Sequence, residues 1–213
     1  MSNITPESIM SDLRYLQLLS RSFPTIADAS TEIINLEAIL NLPKGTEHFL
    51  TDIHGEYEAF QHVLKNASGA VKRKVNEIFG NTLRENEKKE LCTLIYYPRE
   101  KMTLLGETNR IDGNWYAMTL NHLIMVAKLL SSKYTRSKVR KALPEDYAYI
   151  IDELLHAQED EDANQIRYHK QILQTIIELE DADEFIIALS QLIKRLAVYH
   201  LYIFWYFFFS FCV

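Results

Sequence analysis

Cysteine is nearly missing from this chain. Two occur in 213 residues, Cys92 and Cys212, and they form neither a metal-ligand spacing nor a disulfide framework. Positive charge is in deficit as well. The formal net charge is −6, which argues against a general nucleic-acid binder, since such proteins are usually basic. Met1-Ser2-Asn3-Ile4-Thr5-Pro6-Glu7 lacks the basic and apolar regions of a secretory signal. The expected compartment is therefore a reducing cytoplasm. Internal repeats and low-complexity linkers are also absent. The rest of the composition is ordinary for a globular protein, 47% hydrophobic and 24% charged. The length allows one large domain or two small ones.

Helical patterning dominates. Thr5-Pro6-Glu7 opens a helix with a cap, a proline in the first turn and an acid near the positive end of the dipole. Ile9, Leu13, Leu16 and Leu19 continue one apolar face to about Ser20. Further helices are predicted over roughly 30–40, from Phe60 to Phe79, over 87–96 with a stop near Pro98, and over 115–134. Others run from Leu143-Pro144-Glu145 to about His156, over 166–179 and over 184–198. Asp181 and Glu184 have the spacing of a capping box. One strand is clear before the end of the chain, at 47–52.

That strand carries Phe49-Leu50-Thr51-Asp52-Ile53-His54-Gly55-Glu56. If it stays extended, Asp52 and His54 point the same way. A carboxylate oxygen beside an imidazole nitrogen suits Mn, Fe or Zn better than Ca or Mg. Gly55 has no Cβ, so the chain can turn sharply and let a phosphate approach the backbone. An Asp-x-His-Gly tetrad arises by accident in about one chain in a hundred of this length. The pattern is similar to the first metal-binding block of calcineurin-like metallophosphatases.

The last fifteen residues, Tyr199 to Val213, are crowded with aromatics and contain no Asp, Glu, Lys or Arg. As a strand they would form a flat apolar edge prone to aggregation. As a membrane span they are short: Leu196 to Val213 barely reaches the lower limit and contains His200. Membrane attachment is therefore disfavoured, although an interfacial aromatic anchor behind Lys194-Arg195 is conceivable. Their composition is that of a damaged or misread coding end.

The stretch from about Leu19 to Leu155 closely resembles the class 3 fructose-1,6-bisphosphatases of bacteria. The resemblance rests on Phe23-Pro24-Thr25-Ile26, Ser30-Thr31-Glu32-Ile33-Ile34-Asn35-Leu36, Leu42-Pro43-Lys44-Gly45-Thr46-Glu47 and residues 49–66. Phe79-Gly80-Asn81-Thr82-Leu83, Leu94-Ile95-Tyr96-Tyr97-Pro98 and residues 131–144 extend it. It implies a Mn-dependent enzyme that removes the 1-phosphate of fructose 1,6-bisphosphate in gluconeogenesis. Asp52 and His54 would be its first metal ligands, in an αββα metallophosphatase sandwich with a large helical insertion. The implied division is a helical segment 1–46, the start of the catalytic domain at 47–198, and the tail 199–213.

The resemblance also marks a departure. The family continues Ala197-Val198 with Asp-His-Leu-His-Ile-Val-Gly-Asp-Ile. Here Tyr199 and Tyr202 replace the first Asp and the second His, and Trp205-Tyr206 replaces the Gly-Asp that bridges two metals. The implied reading is the N-terminal part of such an enzyme, mainly α, with a further strand at 200–209 and no activity alone. His200 is retained and is a weak catalytic candidate.

Lys133, Arg136, Lys138, Arg140 and Lys141 form a basic cluster between two predicted helices. They are candidates for binding a phosphorylated effector, against the ordinary reading of a solvated face or a subunit contact. Glu159 to Asp162 reads as a solvated turn. His48, His62, His122, His156 and His169 are scattered singly and read as core-edge or surface residues. A homo-oligomer fits the reading, whereas a nucleic-acid partner does not. Two alternatives remain open: a non-catalytic helical interaction fragment, and a metallophosphatase acting on another phosphate ester.

Overall fold

The computed structural model describes residues 6–51, 54–108, 111–157 and 162–204. The chain divides into two compact units, Met1–Leu42 and Pro43–Val213.

The first unit holds α1 (Pro6–Ser11), α2 (Leu13–Ser22) and α3 (Ile26–Ile39). The third helix starts at Ile26, four residues before the expected Ser30, because Thr25 and Asp28 form a capping box. Thr25 Oγ1 accepts from the Asp28 amide, and the Asp28 carboxylate accepts from the Thr25 amide. Neither α2 nor α3 buries a residue.

The second unit begins with β1 (Glu47–Thr51). A long helical excursion follows: α4 (Tyr57–Asn66), a 3-10 turn at Ala67–Gly69, α5 (Ala70–Phe79), α6 (Glu85–Tyr96), α7 (Pro98–Glu107) and α8 (Gly113–Ser131). It continues through α9 (Arg136–Ala142), α10 (Ala148–His156), α11 (Ala163–Glu178) and α12 (Ala182–Ala197). The chain then returns as β2 (His200–Phe204), which pairs parallel to β1 with Glu47 opposite His200 and Thr51 opposite Phe204. Thus the strand expected at 47–52 is observed at 47–51, and the one expected at 200–209 is observed at 200–204. Their remaining residues lie outside the described part.

Two helices were not anticipated. Pro98 stops α6 and also opens α7, where a missing N–H costs nothing. The basic stretch read as a connection is itself α9, capped by Thr135, whose hydroxyl accepts from the Lys138 amide.

The core is organised on α12. Eleven of its sixteen residues are buried, and it packs against α5, α6, α7, α8, α9 and α11. Its first turn is fixed by neighbours. Tyr116 Oη donates to Asp183 at 2.6 Å, and Arg99 forks onto both oxygens of Glu184 at 3.2 and 3.3 Å. The expected Asp181–Glu184 capping box is not formed, because Asp181 accepts from Tyr147 Oη at 2.8 Å instead. Burial, with Asp181 adding to it, pushes the Tyr147 hydroxyl up to about 12. At the other end, Arg195 donates to the Ala142 carbonyl at 3.1 Å.

Two isolated histidines join the core's edge, as expected. His48 is buried on β1, and His122 packs its ring edge-on to Phe79 at 4.9 Å. The cap of α11 uses the acidic turn: Asp162 accepts from the amides of Asn164 and Gln165. Residues 159–161 lie outside the described part. Cys92 is buried, and burial pushes its thiol up.

Phe185 is fully buried, edge-on to Tyr147 at 5.2 Å. Phe185→Ala should lower stability by about 3–5 kcal/mol, read from the urea midpoint at constant m-value. Burial holds His48 and His122 below the ordinary histidine value of 6.5. The folded state then binds fewer protons than the unfolded one just below that pH. Stability should therefore be full above 6.5 and fall as pH drops below it. His122→Asn should flatten that slope in urea melts taken at successive pH values.

Candidate functional site

The two strands enter their pairing through a tight contact. The Tyr199 amide donates to the Thr46 carbonyl at 2.7 Å. The Tyr199 ring covers Gly45, where an added Cβ would come within 2.5 Å of Tyr199 Cβ. Lys138 Nζ lies 3.4 Å from the centroid of the same ring, and Tyr134 stacks on it at 5.7 Å. On one sheet face Phe49 stacks with Tyr202 at 4.9 Å and with Phe204 at 6.2 Å. Residues 199–204 of the aromatic tail are therefore built into the fold. Pro43-Lys44-Gly45 reads in sequence only as a helix breaker, and the demand for glycine there appears once Tyr199 is in place.

The motif lies at the far end of this pair. Asp52 and Ile53 fall outside the described residues. His54 and Gly55 have φ of 49° and 74° and turn the chain towards α4, where the Tyr57 amide donates to the Gly55 carbonyl at 2.9 Å. His54 is thus in a left-handed turn and not on an extended strand, so the alternation expected to align it with Asp52 does not reach it. A left-handed φ is uncommon outside glycine, and histidine is among the residues enriched there. Gly55 has open space around its Cβ position, so its role is conformational.

His200 is placed elsewhere. It sits opposite Glu47, Nδ1 to Oε1 at 3.8 Å. Four strand steps, about 13 Å, separate that end from Thr51. Among the described residues, no three His, Cys, Asp or Glu side chains come together as a metal-holding group. His54 is the only one of the two expected ligands that is described, and one imidazole does not make a metal site.

The basic cluster disperses. Arg136 Nε donates to His156 Nε2 at 3.0 Å, and Arg140 Nε to Asp152 Oδ2 at 3.2 Å. Lys138 lies over Tyr199, and Lys141 is exposed on α9. Lys133 faces a cavity it shares with Arg73 and Lys74 of α5. Those two were not singled out in the sequence, where about sixty residues separate them from Lys133 and no periodicity links them.

Gly45→Ala should force Tyr199 away from its seat and weaken the β1–β2 pair. The expected readout is faster amide hydrogen exchange at Tyr199 and along 200–204, with α12 still protected.

A family profile described as Firmicute fructose-1,6-bisphosphatase matches residues 14–208. Among curated relatives, the class 3 fructose-1,6-bisphosphatase of Bacteroides thetaiotaomicron is 71% identical over 202 residues, 95% of this chain and 30% of the relative. That of Porphyromonas gingivalis is 60% identical over 192 residues, 90% of this chain and 29% of the relative. That of Clostridium beijerinckii is 56% identical over 201 residues, 94% of this chain and 30% of the relative. The chain therefore spans about 30% of the length of these relatives. No solved structure matches.

Proposed function

Because the chain belongs to the Firmicute, or class 3, fructose-1,6-bisphosphatase family, we propose that it contributes the first metal-binding block of an enzyme hydrolysing fructose 1,6-bisphosphate. The products are fructose 6-phosphate and phosphate, and the setting is cytoplasmic gluconeogenesis. The observation that carries this reading is 71% identity across 95% of the chain to a relative of that name.

In this reading β1 and β2 are the first two strands of a metallophosphatase sheet. Their parallel pairing supports it, since Thr51 and Phe204 lie opposite each other at the same end of the sheet. Asp52 and His54 would be the ligands this chain offers to Mn. When bound, such a metal supplies an activated water and offsets charge on the phosphoryl oxygens. Gly55 keeps the turn beside that place open. Two ligands do not hold a dinuclear centre, and Trp205-Tyr206 stands where the resemblance expects the bridging carboxylate. The 213 residues alone should therefore show no turnover. Self-association into an oligomer is part of the same proposal. No helix among the described residues is long and apolar enough to cross a membrane.

A second reading is favoured by the self-contained core around α12: a helical module that folds and associates with an intact subunit but performs no chemistry.

A chimera separates the two. Residues 1–198 would replace the matching segment of the Bacteroides thetaiotaomicron enzyme, and phosphate release from fructose 1,6-bisphosphate would be followed with added Mn. The catalytic reading expects an active chimera and a loss of more than about 100-fold on Asp52→Asn, since even supporting residues around a metal cost 10–100-fold. A folded but inactive chimera, or one indifferent to Asp52→Asn, sinks it.

A further inference from the structure

At the end of the sheet opposite the motif lies a cavity of about 250 Å³. Its walls come from α5, from the turn after α8, from the last turn of α12 and from Thr46, just before β1. The volume is below the range of drug-sized ligand pockets and suits a small ion or group.

Three cations line it: Arg73, Lys74 and Lys133. Only one carboxylate joins them, Glu77, and it pairs with Lys74. Among the described residues, neither Arg73 nor Lys133 has a carboxylate within 4.0 Å. Burial lowers the affinity of Lys133 for its proton, and the neighbouring Lys74 and Arg73 lower it further, while Glu77 acts in the opposite sense. Like charges gathered in a half-closed space repel one another more strongly than they would in water. A chain of net charge −6 has no general excess of cations to account for such a gathering.

We propose that this cavity binds a phosphate-sized dianion, either inorganic phosphate or the phosphoryl group of a small ester, through Arg73, Lys74 and Lys133. The guanidinium can fork onto two oxygens, and the two ammonium groups act as point charges. Thr46 forms part of the wall. Tyr134 contributes its ring, because its hydroxyl is already donated to the Leu196 carbonyl at 2.8 Å.

The site is separate from the motif. Thr46 precedes β1 and Asp52 follows it in the sequence, and the strand between them, Glu47–Thr51, spans about 13 Å over its four steps. One phosphoryl group cannot reach both ends, so the bound anion is not the group reacting beyond Thr51. The inference stands whether or not the chain takes part in catalysis. It also touches the seat of the sheet: the wall includes Thr46, whose carbonyl holds Tyr199, and Tyr134, whose ring stacks on Tyr199. An anion there would tie together the lead-ins to both strands.

Calorimetric titration of the 213-residue chain at fixed ionic strength tests this, with inorganic phosphate in one arm and glycerol 3-phosphate in the other. One saturable site is expected, and the tighter arm names the source. Lys133→Gln and Arg73→Gln should each weaken binding at least tenfold, whereas Lys141→Gln, at an exposed position outside the cavity, should leave it unchanged. In phosphate-free buffer Lys133→Gln should melt above the parent chain, because one of three mutually repelling cations is gone. If that variant does not fold, Arg73→Gln carries the test from an exposed position on α5. Absence of saturable binding, or equal losses from Lys141→Gln and Lys133→Gln, overturns the proposal.

Discussion

Burial of α12 is the constraint on which the second unit depends. A helix with eleven of sixteen residues buried cannot rest on one partner. It needs apolar surface nearly all round, and six other helices supply it. Its polar groups must then be satisfied at its ends. The acids of the first turn meet Tyr116, Arg99 and Tyr147, each from a different part of the chain, and Arg195 in the last turn meets a carbonyl at the end of α9. Position and register of α12 are thereby set together.

The sheet inherits its place from this arrangement. Only Val198 and Tyr199 separate α12 from β2, so fixing the helix fixes where the strand starts. Tyr199 is the joint: it is hydrogen-bonded to Thr46, flat against Gly45, stacked on Tyr134 and covered by Lys138. A substitution from the aspartate that the family resemblance expects at this position has been absorbed by aromatic and cation–π contacts. The two ends of the short sheet then differ in character. One gathers cations around a cavity, and the other turns sharply at His54 and Gly55 towards α4.

Much of the helical architecture was legible because burial imposes a 3.6-residue period on long segments such as α8 and α12. The strand β1 was legible because it is short, apolar and bounded by breakers. Where a side chain had two competing uses, the reading failed. Pro98 ends one helix and starts the next, and Asp181 could cap its own helix or serve Tyr147. The basic run at 133–141 looked like one surface because its residues are close in sequence, yet helical geometry sends them to different partners. The cavity they partly line needs Arg73 and Lys74, which only the packing of α5 against α8 brings near. The tail was opaque for another reason: its composition argues against any soluble structure, while the fit of residues 199–204 depends on individual contacts with Gly45, Phe49 and Tyr134. Asp52, the first ligand the motif offers, lies outside the described residues.

The parallel pair joins residues about 150 positions apart, with the whole helical core between them. On a ribosome adding 5–20 residues per second, β1 waits roughly 8–30 s before its partner has even been made. Closing so long a loop is entropically unfavourable until the intervening helices have packed and shortened it. The sheet must therefore be among the last parts to form. During synthesis, β1 with its exposed Phe49 is a strand without a neighbour, which makes it a natural point of engagement for a chaperone.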